Sequence, residues 1–182
     1  AFWANGKPVT NASGKQTASK TRAARSAARL GAVQALYQMD MVATPLDDII
    51  EEFCLHRLGQ EMEEGADYLP ADEAHFEDVV RGVVREQREI DVRIHEALAE
   101  GWTLSRIDST LRAVLRSGVY ELQRCKDVPV KVVINEYVEI ARAFFEEEEP
   151  RVVNAVLDRL GRRLRADEFG NGAKSNDGTG HA

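Results

Sequence analysis

Apolar residues recur at three- and four-residue spacings along most of this chain, and that period leaves little choice of fold. Phe76, Val79, Val80, Val83 and Val84, continued by Ile90, Ile94 and Leu98, keep one helix face apolar for about six turns. Comparable stripes run through Leu111, Val114, Leu115, Val119 and Leu122, through Val133, Ile134, Tyr137, Val138, Ala141 and Phe145, and through Val152, Val153, Val156, Leu157, Leu160 and Leu164. No segment alternates with period two between turn signals. The β-branched stretch 128–140 invites a strand, but it continues as "NEYVEIARAFFEEEE" in helical register. Pro45, Pro70, Pro129 and Pro150 fall where a first helical turn tolerates a missing N–H, and Gly59, Gly65 and Gly101 separate the stripes. The expectation is an all-α bundle of six or seven helices.

With 182 residues, 43% of them hydrophobic, the chain suits one domain with a substantial core, placed at 20–165. Residues 1–19 read as a disordered basic tail and 166–182, "ADEFGNGAKSNDGTGHA", as a disordered polar one, because neither holds enough apolar surface to order itself. No apolar run is long enough to span a bilayer, so a soluble cytoplasmic protein without membrane association is expected. Cys54 and Cys125 are too far apart in sequence to suggest a metal pair, and two cysteines make no disulfide framework for a chain this size. His56, His75, His95 and His181 lack zinc-ligand spacing, and no glycine-rich nucleotide loop is present. Neither a cofactor nor a catalytic constellation is expected.

The net charge of −7 hides an asymmetry. Residues 1–39 hold Lys7, Lys15, Lys20, Arg22, Arg25 and Arg29 and no acid, which leaves −13 for the remainder. A basic arm on an acidic body offers phosphates one defined landing place; a solvated basic tail is the plainer alternative. Wound at 100° per residue, Arg22, Arg25, Arg29, Ala32, Val33 and Leu36 share about 100° of arc. Burying unpaired guanidinium groups is costly, so the second half of this helix should dock while the first half overhangs the bundle edge. Lys20, Arg22, Arg25 and Arg29 then form a comb for RNA phosphates, and Tyr37 is either a base-stacking surface or a half-buried core residue.

"RSAARLGAVQALYQMD" resembles the first helix of the NusB family of bacterial transcription antitermination factors. "LRAVLRSGVYELQRCKDVPVKVVINEYVEIARAFFEEEEPRVVNAVLDRL" is similar to that family's C-terminal half. The resemblance covers about residues 22–165 and rests most on "AVQALY", "DVPVKVVINE" and "VVNAVLDRL" in that order. It implies two packed three-helix bundles led by the basic helix. It also implies binding of boxA-type single-stranded RNA from ribosomal RNA leaders, jointly with the small-subunit ribosomal protein NusE. The assembly joins the RNA polymerase antitermination complex with other Nus factors. By position, Arg22, Arg25 and Arg29 fall in the family's basic motif, Arg116 and the segment Arg151 to Asn154 at places that approach RNA, and Glu148 at a function-associated acidic position. The resemblance allows a monomer or a homodimer that hides the arginine face. Ala and Ser interrupt the arginines that some relatives carry consecutively. Val152 stands where some have Phe, which removes a stacking ring, and Leu111 stands where a relative has a carboxylate.

Two other functions remain open from the sequence. A NusB-like domain also fronts certain ribosomal RNA methyltransferases, but such an enzyme needs a following glycine-rich cofactor domain, and this chain ends in a polar stretch. A purely protein-binding helical module would satisfy the arginines with an acidic partner. "EEEE" at 146–149 reads as a charge cap on the last helix, and Arg159, Arg162, Arg163 and Arg165 as either an extension of the RNA track or dipole-favoured charges at a helix end.

Overall fold

A computed structural model describes residues 12–58 and 70–170. It contains α1 (Ala12–Val42), α2 (Leu46–His56), α3 (Glu73–Ala97), α4 (Ser109–Arg124), α5 (Val130–Phe144) and α6 (Glu148–Leu164), with a short 3-10 turn at Ala166–Glu168. Among the described residues there is no strand, and the β-branched stretch at 130–140 is helical. No described helix is long and apolar enough to cross a membrane.

Helices α1 to α3 pack as one three-helix bundle and α4 to α6 as another, with α3 and α1 laid against α4 to join them. One continuous core runs through both, from Ala32, Phe53 and Phe76 to Leu115, Tyr137 and Leu157. The stripe on α4 suggests an amphipathic helix, yet Ala113 to Leu122 are all buried, because α1, α3, α5 and α6 surround it. Small side chains make room: a Cβ on Gly118 would stand 2.8 Å from Leu157, and one on Gly82 of α3 would stand 2.0 Å from the ring of Tyr120.

The helix starts follow local chemistry. Asp72 caps α3 by accepting from the N–H of His75 at 3.0 Å, and Asp108 caps α4 through Thr110 at 2.7 Å. Pro45 and Pro129 sit one position earlier than the first-turn rule places them, as extended cap residues, whereas Pro150 is buried inside the first turn of α6.

Both tail boundaries need correction where they are described. Residues 12–19 already belong to α1, since Ala, Lys, Gln and Thr continue a helix that the bundle nucleates downstream. Residues 166–170 are anchored: the buried Arg165 donates to the carbonyls of Val128 and Lys126, Glu168 accepts from the Val130 N–H at 2.8 Å, and Phe169 lies under Arg162. The rest of both tails, 1–11 and 171–182, and Gly59 and Gly65 lie outside the described residues.

Candidate nucleic-acid interface

The arginines of α1 pass from solvent to core within two turns. Arg22 has 75% of its side chain exposed and only a loose approach to Glu136, 3.7 Å. Arg25 is half-buried; its Nη1 donates to Asp127 at 3.1 Å and its Nε faces Asp72 at 3.5 Å. Arg29 corrects the expected comb, because it is 2% exposed and lies inside the molecule. Its Nε donates to both oxygens of Glu121, which is fully buried, and Glu136 stands 3.5 Å from Nη1. Burial pulls the Arg29 pKa down, but Glu121 beside it more than reverses that, so the guanidinium stays charged. His75 closes on the same Glu121 carboxylate, and Ser26 donates to Glu136 at 2.6 Å. Arg29 can lie inside because, unlike an unpaired guanidinium, it is matched by Glu121. Ala32 and Leu36 beyond it are buried as expected. Lys20 is exposed, but two residues from Arg22 it points about 200° round the helix, away from the arginine line.

Helices α1 and α5 run in the same direction, because α1 is antiparallel to α4, with Arg29 at Glu121 and Asp40 at Arg112, and α5 turns back along α4 after a short connection. Between them lie two depressions. One, about 720 Å³, has Thr21, Arg22 and Arg25 on one wall and Val128, Pro129 and Val132 on the other. The second, about 770 Å³, is formed by Val33, Tyr37, Met41, Val42, Arg57 and Phe144. Tyr37 is 40% exposed there, which settles its packing in favour of an accessible ring. Beyond the C-terminal end of α5, Arg151 and Asn154 are exposed on α6 and line a hollow of about 410 Å³ with Arg142. Arg142 was not singled out from sequence; only its position one turn before the α5 terminus brings it there.

Arg116 is a second correction. Its guanidinium forms a fork with both oxygens of Asp91, at 2.8 and 2.9 Å, with Asp40 at 3.5 Å, and the residue is buried. These carboxylates occupy the donors that RNA would need. Glu148 opens α6 on the surface with Glu149 beside it, where the helix dipole favours negative charge. Of the C-terminal arginines, Arg165 is buried and Arg159 donates to the Ala97 carbonyl, while Arg162 pairs with Asp158 and Arg163 approaches Glu96 on the surface.

The model of the NusB family matches residues 26–162. The chain belongs to the NusB family. A transcription antitermination protein NusB from Bradyrhizobium diazoefficiens is 59% identical over 148 residues, covering 81% of this chain and 89% of the relative. The structure of T. maritima NusB superposes with a TM-score of 0.64 at 30% identity, over 82% of this chain and 96% of that one. A crystal structure of antitermination factors NusB and NusE in complex with dsRNA shares the fold, with a TM-score of 0.63 at 22% identity over 78% of this chain and 98% of its counterpart. The NusB match begins at Ser26, so it includes Arg29, Tyr37, Arg116, Glu148, Arg151 and Asn154. Lys20, Arg22 and Arg25 stand ahead of it, on the part of α1 that leaves the bundle.

Proposed function

We propose that this NusB-family chain is a non-enzymatic adaptor in transcription antitermination that binds boxA-type single-stranded RNA together with NusE and joins the RNA polymerase antitermination complex with other Nus factors. The observation that carries it is the line of accessible groups along the α1–α5 seam. Arg22 and Arg25 stand at one end and Tyr37 follows about 22 Å further along α1, while Arg142 in the last turn of α5 shares a separate hollow with Arg151 and Asn154 of α6. Cations position a phosphate backbone and an exposed ring stacks a base, which is the division of labour that single-strand binding requires. Arg29 and Arg116 are left out of this track because both are buried and already paired, Arg29 with Glu121 and Arg116 with Asp91. The apolar groove at Tyr37, Met41 and Phe144 is of the kind that protein partners cover.

The antitermination reading is favoured over the methyltransferase one by relatives 59% identical to this chain that carry the antitermination name. To test RNA binding, affinity for a boxA-type RNA is measured across a salt series for the wild type, Arg22→Ala and Arg151→Ala. Each substitution is expected to weaken binding and to flatten the salt slope by about 0.7. Unchanged affinity and slope in both variants would overturn the assignment.

A further inference from the structure

We infer that Asp127 competes with RNA phosphate for Arg25, so that the acidic α4–α5 turn sets the affinity of the α1 arginines for single-stranded RNA. The inference rests on the RNA-binding function proposed above and concerns what holds these arginines before RNA arrives.

Arg25 is incompletely satisfied. Its one side-chain hydrogen bond runs from Nη1 to Oδ2 of Asp127, 3.1 Å. Its Nε is buried without a hydrogen-bond partner, 3.5 Å from Asp72 Oδ2, while the other oxygen of Asp72 is committed to the His75 N–H as the α3 cap. The pair with Asp127 is open to water, with side-chain exposures of 34% for Arg25 and 65% for Asp127. Pairs of this kind hold weakly, whereas a phosphate can accept two charge-assisted hydrogen bonds from one guanidinium. The hydrogen bond from Arg25 also holds the Asp127 carboxyl below its ordinary range, so the competitor is an anion at neutral pH.

The surroundings fit an exchange of anions. The groove of about 720 Å³ opens beside the pair, with Arg22 as a second cation and Val128, Pro129 and Val132 as an apolar wall for a ribose or base. Arg29 shows the opposite arrangement one turn further on: at the inner end of the same groove its side chain is 2% exposed, and the fully buried Glu121 and the largely buried Glu136 already match its charge. Arg22, Arg25 and Arg29 are therefore open, masked and locked in sequence order.

Competition has a signature that simple orientation lacks. When phosphate replaces Asp127, Arg25 exchanges one anion for another and releases few counterions. Without the Asp127 carboxylate, only Asp72, 3.5 Å from Nε, remains beside Arg25; RNA then neutralises a more open cation, and the salt slope steepens by up to about 0.7.

The test is fluorescence anisotropy of a labelled boxA-type RNA against the full chain, as wild type, Asp127→Asn, Arg25→Ala and the double variant, across a salt series. Asp127→Asn is expected to bind about two- to five-fold tighter at low salt, with the steeper slope, and the gain is expected to vanish in the Arg25→Ala background. Asp127→Ala gives the same sign and guards against an effect peculiar to Asn. Unchanged or weaker binding by Asp127→Asn would overturn the inference in favour of a spectator or an orienting residue. A gain that persists without Arg25 would reduce the effect to net charge and overturn it too. RNA binding absent from the wild type would overturn the proposed function itself, which separates the two failures.

Discussion

One helical turn separates Arg25 from Arg29, and across it the surroundings change from a solvent-facing groove to a closed ionic cluster. Arg29, Glu121 and His75 are buried together, with Glu136 at the edge, where α1, α3, α4 and α5 meet. Removing one member of such a cluster leaves a buried charge without compensation. Arg29→Met is expected to lower stability by about 3–5 kcal/mol, read as a shift in the urea midpoint. Arg25→Ala breaks only half-buried contacts and is expected to cost about 1 kcal/mol or less in the same assay, with its effect appearing in RNA affinity. The positive charge of both residues was legible in the sequence, but their different fates were not. The carboxylate that claims Arg29 lies 92 residues away on α4. The apolar spacing of α4 gave no hint of it, because that spacing marks which residues are apolar and is silent about a polar residue enclosed by neighbouring helices.

At the level of elements, α1 is two helices in one. Residues 14–23 are exposed, whereas the docked part begins at Ala28, which is fully buried. Short helices without tertiary cover are marginal in water. Amide hydrogen exchange is therefore expected to be fast before about residue 23 and slow from Ala28, with the fast segment slowing when RNA is bound. The α3–α4 contact is the opposite case, a close approach with no slack. Gly82→Ala drives a methyl into the ring of Tyr120, whose hydroxyl is held by Asp78 at 3.1 Å. That overpacking is expected to cost about 1–3 kcal/mol by urea unfolding, with RNA affinity retained in the folded fraction. The helical character of α3 and α4 follows from the apolar spacing of their sequence; the caps Asp72 and Asp108 and the tightness of this crossing were not read there, since Gly82 reads from the sequence only as a weak helix former.

For the molecule as a whole, carboxylates paired with arginines between helices tie the bundles together and set its response to acid. Glu86 of α3 accepts from Arg124 of α4 at 2.9 Å; burial pushes its pKa up, but Arg124 and Arg85 pull it below the ordinary 4.5. Asp127 is held below its ordinary 3.8 by the hydrogen bond from Arg25. Depressed folded values mean that the unfolded chain binds protons first, so these contributions are complete above the ordinary values and are lost as pH falls through the lower folded ones. The urea midpoint is expected to be level above about pH 5 and to fall below it, and Glu86→Gln is expected to make that fall shallower. Sequence alone was enough to show that the chain is helical, which faces of its main helices are apolar and that positive charge gathers at its start, because periodicity and composition act over a few residues; it missed the first turns of α1. Only the tertiary structure decided which arginines stay accessible, since pairing and desolvation depend on carboxylates brought up from distant helices. It also decided that Tyr37 stands in the open beside Phe144, and that Arg142, Arg151 and Asn154 share one hollow.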